Sequence, residues 1–333
     1  MSEWKEQEKS VKQKMFIKFA SNLEYLFQNW KNISIELPEG GGYICPVGFT
    51  MHSKEGIKDI YDDQLTLEHI PPKAFGGKPI CLVRKDINSK AGHSIDKALI
   101  EKTKSQLFIQ GKAAVRGSLE LNLPELKHIS TEISIHPGET YDIVFNPGEK
   151  NLRLLESNFI QKHNWDGLKM NIKFSLPGKK HENMIAFLKY AYLLAFSKVG
   201  YSLLFGPDFL TNPHYEKVRQ QIMAPKENII PFVPIFKNVG PQIEGLGIVI
   251  APEQMLSLFV TFPITYNRSI DYYTVFLPAP DYRGFQAYDY IKKESQSLKS
   301  FDFQFQEVQP FEFWKSTDLA IKFHTAWKGL NDI

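Results

Sequence analysis

At 333 residues, with 43% hydrophobic and 13% aromatic side chains, the chain is long enough for one large domain or two ordinary ones, which excludes a disordered tail. Its 40 basic and 37 acidic residues give a formal net charge of +3, so the overall balance neither indicates nor excludes a polyanionic partner. The two cysteines, Cys45 and Cys81, are too few for a disulfide scaffold or a four-cysteine zinc knuckle, and they suit a reducing compartment.

The hydrophobic pattern predicts neither export nor a membrane span. The charged start MSEWKEQEK has no secretory signal pattern, so the cytoplasm is the expected location. The most apolar stretch, Met184 to Phe205, is interrupted by Lys189 and Lys198, whereas a spanning helix needs about 20 nearly uncharged residues. We therefore expect a buried helix there and no membrane partner.

The first half of the chain predicts a helix, a break and a compact turn-rich segment. Apolar residues from Val11 to Trp30 recur at a spacing of three and four, which predicts an amphipathic helix. The run LPEGGG after it predicts a flexible linker, because no Gly-Lys-Ser/Thr follows to make a phosphate-binding loop. Residues 43–106 then read as a short hairpin followed by a helix from about Ser89 to Lys104.

The second half alternates between the two periodicities. Residues 112–147 and 168–176 show the alternation of half-buried strands. Helices are expected at about 182–199, 214–223 and 285–298, and strands at 229–236, 245–250, 257–265 and 273–277. No internal repeat is visible, so this half is predicted to be α+β.

The most informative run is LTLEHIPPKAFGGKPICLVRKDINSKAGHSID, residues 65–96. It resembles the HNH endonuclease family, in the subgroup with acidic-His-Ile-Pro-Pro, then Gly-Gly-Lys-Pro, then Asn-x-x-Ala-Gly-His. The resemblance spans roughly Gly40 to Lys104 and matches several separated elements in order. It implies an α+β fold with a small ββα-metal nuclease module followed by a larger mixed α+β domain. The expected organisation is an N-terminal helical segment 1–38, a nuclease-like module 39–106 and a C-terminal domain 107–333.

The resemblance also implies a divalent-metal site, with Mg²⁺ or Mn²⁺ held by Glu68, Asn88 and His93 and with His69 as the general base. An imidazole with a pKa near 6.5 can take a proton from water, and one hard cation can neutralise charge on a phosphate. The residues leave alternatives open, because His69 could be a packed structural histidine and Asn88 could cap a helix. Asn88 and His93 lie about 140° apart on a helix, so one of them, not necessarily both, is expected to bind the metal.

The chain departs from the family at the structural zinc site. Many members carry two Cys-x-x-Cys pairs, whereas this chain keeps only Cys45, with Gly48, Arg84 and Ile87 in the other three positions. We expect no structural zinc and expect apolar packing in its place, from Ile44, Phe49, Phe75 and Ile87. The same loss leaves open a decayed module that binds but does not cut.

Local charge favours a nucleic-acid partner. Basic residues are frequent from Lys73 to Arg116, where they could contact phosphates, although a solvated helix face would look the same. The candidate phosphate contacts are Lys73, Lys78, Arg84, Lys85, Lys90 and Lys97.

The sequence therefore predicts a metal-dependent endonuclease that hydrolyses phosphodiester bonds, with DNA a better candidate than RNA. By analogy, such proteins resemble components of bacterial defence against phage or foreign DNA. Double-strand cleavage with one site per chain would call for a homodimer. The alternatives are a non-catalytic nucleic-acid-binding or interaction protein with a degenerate HNH module, and an enzyme whose site lies in the C-terminal domain.

Overall fold

The computed structural model describes residues 3–29, 36–58, 64–110, 115–123, 126–136, 142–146, 171–173, 180–205, 211–238, 244–266, 269–295 and 303–308. It is a mixed α+β structure, as the sequence predicts. Two compact units form, one from Met1–Lys97 together with Lys180–Ile333 and the other from Ala98–Lys179. This division differs from the predicted boundaries after residues 38 and 106, because the segments on both sides of the second unit pack into the first.

The N-terminal part of the first unit contains a long helix and two small hairpins. Their elements are α1 (Glu3–Asn29), β1 (Tyr43–Ile44), β2 (Met51–His52), β3 (Leu65–Ile70), β4 (Lys78–Arg84) and α2 (Lys85–Ala91). The predicted face of α1 is buried, with Phe16, Phe19 and Leu23 at most 1% exposed, because the three-four spacing brings these residues to one side. Between α1 and β1, Gly40 and Gly41 adopt positive φ, where side chains other than glycine are strained.

A buried helix, α4 (Lys180–Val199), lies at the centre of the first unit. It is apolar on nearly all sides, since Ile185 to Phe196 are all buried, and it contacts α1, the β3–β4 hairpin and the C-terminal sheet. An all-round apolar helix is buried in a large core or in a membrane. Here it is a core helix, as predicted, and no helix among the described residues is long and apolar enough to cross a membrane.

The C-terminal part of the first unit contains an antiparallel five-stranded sheet and two helices. The elements are α5 (Pro213–Met223), β9 (Ile235–Lys237), β10 (Gly245–Ala251), β11 (Ser257–Tyr266), β12 (Ser269–Leu277), α6 (Gln286–Glu294) and β13 (Gln304–Glu307). The strands lie in the order β13-β10-β11-β12-β9 across the sheet. The strand predicted at 229–236 starts only at Ile235, because Pro231 and Pro234 supply no amide donors to a ladder.

The second unit contains most of helix α3 (Lys97–Ile109) and a four-stranded antiparallel sheet. The strands are β5 (Val115–Leu123), β6 (Leu126–His136), β7 (Asp142–Asn146) and β8 (Asn171–Lys173), in the order β7-β6-β5-β8 across the sheet. The first three confirm the strands predicted between 112 and 147, and β8 falls inside the strand predicted at 168–176, whose other residues lie outside the described part.

Candidate functional site

The predicted module forms a hairpin followed directly by a helix. Strands β3 and β4 pair antiparallel, and α2 begins at Lys85, immediately after β4. The register shifts between Glu68 and His69, where Glu68 faces Cys81 but His69 faces Pro79. Such a bulge bends a strand and changes where its side chains point. Both residues lie near the end of β3, which stops before Pro71.

Glu68 is buried and forms an ion pair with the central helix α4. Its Oε1 lies 2.8 Å from Nζ of Lys189, and both side chains are 3% exposed. The same Nζ lies 2.8 Å from Oδ2 of Asp96, and the Tyr190 hydroxyl donates to Oδ1 of Asp96 at 3.0 Å. This buried cluster of Glu68, Asp96, Lys189 and Tyr190 joins the hairpin, the end of the π-helical turn Gly92–Asp96 and α4.

The electrostatics of the buried cluster favour a charged lysine. Burial raises the pKa of Glu68, and the nearby ammonium of Lys189 opposes that shift. Burial alone would lower the pKa of Lys189, but the carboxylates of Glu68 and Asp96 outweigh it and raise that pKa. Two carboxylates therefore share one ammonium. Metal ligation by Glu68 stays a prediction, and it would require this carboxylate to leave Lys189.

His69 is only half-buried, unlike Glu68 beside it. Burial and then the neighbouring charge of Lys73 lower its pKa below the ordinary 6.5, against opposing effects of the Leu67 backbone and the Glu8 carboxylate. The ring is therefore neutral at neutral pH. A neutral, accessible imidazole has the protonation state that a general base needs.

Asn88 connects α2 to the strand that carries His69. Its Nδ2 donates to Oγ1 of Thr66 at 3.0 Å and to the carbonyl of Leu67 at 3.2 Å. The helix begins at Lys85 with Arg84 at the cap position, so Asn88 lies inside the helix and does not cap it. His93 is exposed in the π-helical turn. Within the described residues, no group of three or more His, Cys, Asp or Glu side chains is arranged to hold a metal ion.

The four positions that the HNH resemblance aligns with a structural zinc site lie close together in space. We call Cys45, Gly48, Arg84 and Ile87 the knuckle positions. Sγ of Cys45 accepts the amide N–H of Gly48 at 3.3 Å and that of Arg84 at 3.5 Å. A Cβ added to Gly48 would lie 2.7 Å from Cδ1 of Ile87, so the isoleucine side chain fills the space between the two segments.

Of the residues predicted to pack around these positions, Ile44 and Phe75 are buried, whereas Phe49 and Ile87 are half-buried. The ring centroids of Phe49 and Phe205 lie 5.6 Å apart. The guanidinium of Arg219 lies 4.3 Å from the ring centroid of Phe49.

The predicted phosphate contacts differ in accessibility. Lys73, Lys78, Lys85, Lys90 and Lys97 are exposed. Arg84 is half-buried and binds the carboxylate of Asp86 through two donors at 2.6 and 2.7 Å. Lys90 Nζ donates to the carbonyl of Met223 at 3.2 Å. The five lysines remain candidates for phosphate contact, whereas the charge of Arg84 is largely balanced by Asp86.

Sequence reasoning missed Asp96 and Lys189. Asp96 ends the quoted run but carried no predicted role, and Lys189 was noted only as a charge interrupting an apolar stretch. A lysine inside a helix predicted to be buried requires a carboxylate partner, because lysine is almost never fully buried unpaired. Comparisons of the chain with protein-family models, with curated proteins and with solved structures gave no match.

Proposed function

We propose that this chain is an HNH-type, metal-dependent endonuclease that hydrolyses phosphodiester bonds in DNA. The observation that carries the proposal is the β3–β4–α2 arrangement, in which Asn88 ties the helix to the backbone of Leu67, two residues before a half-exposed, neutral His69. The convergence of the knuckle positions is an independent observation that favours the same family geometry. Action against phage or foreign DNA, as a homodimer, extends the proposal by analogy.

In this mechanism His69 accepts a proton from the attacking water. Exposed lysines such as Lys73 and Lys78 bind the substrate's phosphates. A bound Mg²⁺ or Mn²⁺ would supply the neutralisation of charge that develops on the scissile phosphate. Asn88 and His93 offer an amide oxygen and an imidazole nitrogen as ligands, and Glu68 could join them only by leaving Lys189.

The ion pair of Glu68 favours a second candidate function, a nucleic-acid-binding protein that does not cleave. The predicted acidic ligand is 3% exposed and already neutralised by an ammonium ion. Its hairpin and basic residues would then serve only to bind phosphates.

Nicking of a supercoiled plasmid separates the two functions. The purified protein is incubated at low salt with Mg²⁺, with Mn²⁺ or with chelator, beside His69→Ala and the control His181→Ala. His181 lies on α4 outside the module, so its variant should cut normally. Metal-dependent nicking that only His69→Ala abolishes would establish the nuclease. Salt-sensitive retention of the plasmid without any nicking would instead identify the binding protein.

A further inference from the structure

The loop that follows His69 docks on the tip of the C-terminal sheet. Phe75 is 1% exposed, and its ring centroid lies 6.1 Å from that of Tyr266 at the end of β11. Gly76 adopts φ +77°, and a Cβ placed there would lie 3.3 Å from Cβ of Thr265. The β11 end is therefore packed against the same loop that contains Lys73.

Tyr266 is held beside the loop without being stacked on it. Its ring is inclined 70° to that of Phe75, and the side chain is half-buried. Thr265 pairs across the hairpin with Ile270, which is 56% exposed. The end of β11 thus presents a half-buried aromatic ring beside the loop that contains Lys73.

Positive charge lies on the neighbouring hairpin. Lys73 and Lys78 are both exposed, and they flank the docked loop at its two ends. Lys73 lies four residues after the candidate base His69, at the start of the loop that packs against the end of β11. We call Lys73, Lys78 and Tyr266 the hairpin-tip surface.

We propose that the hairpin-tip surface binds unpaired nucleotides, with Tyr266 stacking against a base and with Lys73 and Lys78 contacting the phosphates on either side. Ammonium groups beside a fixed aromatic ring suit single-stranded nucleic acid, whose bases have free faces and whose backbone is anionic. A duplex offers the same phosphates, but its bases are already stacked on one another. This inference rests on the proposed nucleic-acid function and names its substrate as single-stranded or locally unpaired.

Fluorescence anisotropy tests the proposal without requiring cleavage. A labelled thymidine 20-mer and a duplex of the same length are titrated at low salt in chelator with the full chain, Tyr266→Ala, Tyr266→Phe and the double variant Lys73→Gln/Lys78→Gln. Loss of one stacked base weakens binding by about tenfold. Tyr266→Ala should therefore lose about tenfold affinity for the single strand alone, and Tyr266→Phe should retain it. The double lysine variant should bind both nucleic acids more weakly, with a shallower salt dependence.

Thermal unfolding of each variant shows whether it still folds without the contact between Tyr266 and Phe75. If Tyr266→Ala is unfolded, Tyr266→Leu takes its place. Single-strand affinity of the folded Tyr266→Ala or Tyr266→Leu variant equal to that of the wild type would overturn the proposal. So would tighter binding of the duplex by the wild type. Because chelator prevents metal-dependent cutting, the binding assay and the nicking assay can fail independently. If the protein nicks duplex plasmid but its single-strand affinity does not depend on Tyr266, the proposed nuclease function stands and the proposed binding surface is wrong.

Discussion

The buried cluster predicts a large stability effect from one substitution, Lys189→Met. Methionine keeps the length of the side chain but removes the ammonium, which leaves Glu68 and Asp96 as buried carboxylates that are 3% and 7% exposed. Breaking a buried ion pair by removing one partner costs about 3–5 kcal/mol. We therefore expect the free energy of unfolding to fall by about 4 kcal/mol in urea denaturation monitored by tryptophan fluorescence.

The pH dependence of Lys189→Met has a definite sign. Burial already raises the pKa of Glu68, and the variant removes the charge that opposes this shift. At pH values above the ordinary carboxyl pKa, the folded variant then binds more protons than its unfolded chain does. The stability of the variant should therefore decrease as pH rises. The deficit relative to wild type should accordingly shrink between about pH 7 and about pH 5.

Two further variants make this reasoning refutable. Lys180→Met removes a lysine from the exposed start of the same helix and should change stability by less than about 0.5 kcal/mol. The triple variant E68Q/D96N/K189M removes all three charges together and should recover much of the loss. If Lys189→Met unfolds at the wild-type urea midpoint, the cluster does not hold the hairpin and π-helical turn on α4.

Three other predictions follow from the module. Gly77→Ala should destabilise the protein by about 3 kcal/mol, because the added Cβ would overlap the carbonyl oxygen of Pro71. In the control Gly92→Ala the added Cβ meets no atom within 4 Å, so this variant should stabilise the protein by up to about 1 kcal/mol. Urea denaturation measures both changes. Lys73→Gln should raise the pKa of His69 in an NMR titration, and an unchanged midpoint would show that Lys73 does not act on the ring. The triple variant G48C/R84C/I87C places cysteines at the other three knuckle positions and should, with Cys45, create a four-thiolate site that binds one zinc per chain and raises the melting temperature. Variants with only two of these three substitutions should not do so, and metal analysis of the purified proteins measures the zinc content.

Local periodicity was sufficient to predict most elements of the fold. The spacing of apolar residues correctly predicted α1, α4 and α5, and alternation predicted β11 and β12. The helix predicted from about Ser89 instead begins at Lys85 and passes through the π-helical turn at Gly92–Asp96. Asn88 and Ser89 resemble capping residues, but their neighbours already have helical geometry because β4 leads directly into the helix.

The candidate site was predictable only in part, because its environment comes from distant segments. The motif located His69, Asn88 and the hairpin, but no local pattern shows that Lys189, more than 90 residues after Asp96 along the chain, would reach Glu68. Burial of Glu68 likewise depends on α4, which the motif does not include. A sequence pattern specifies which residues are adjacent on one element, whereas the partner of a buried charge is set by tertiary packing.

The packing of α1 on the region around α4 has a consequence for how the protein can be made. The Phe19 and Phe196 rings stack at 4.7 Å, and Asn22 accepts the amide of Tyr201 across 179 positions of sequence. During translation, the part of α1 that packs on Phe196 and Tyr201 therefore has no partner there until the ribosome has synthesised α4 and the turn that follows it. A fragment restricted to residues 39–106 would lack both helices, and the hairpin would expose Leu82 and Cys81, which are fully buried in the whole chain. Recombinant study of the β3–β4 hairpin consequently requires expression of the chain from α1 through the C-terminal sheet.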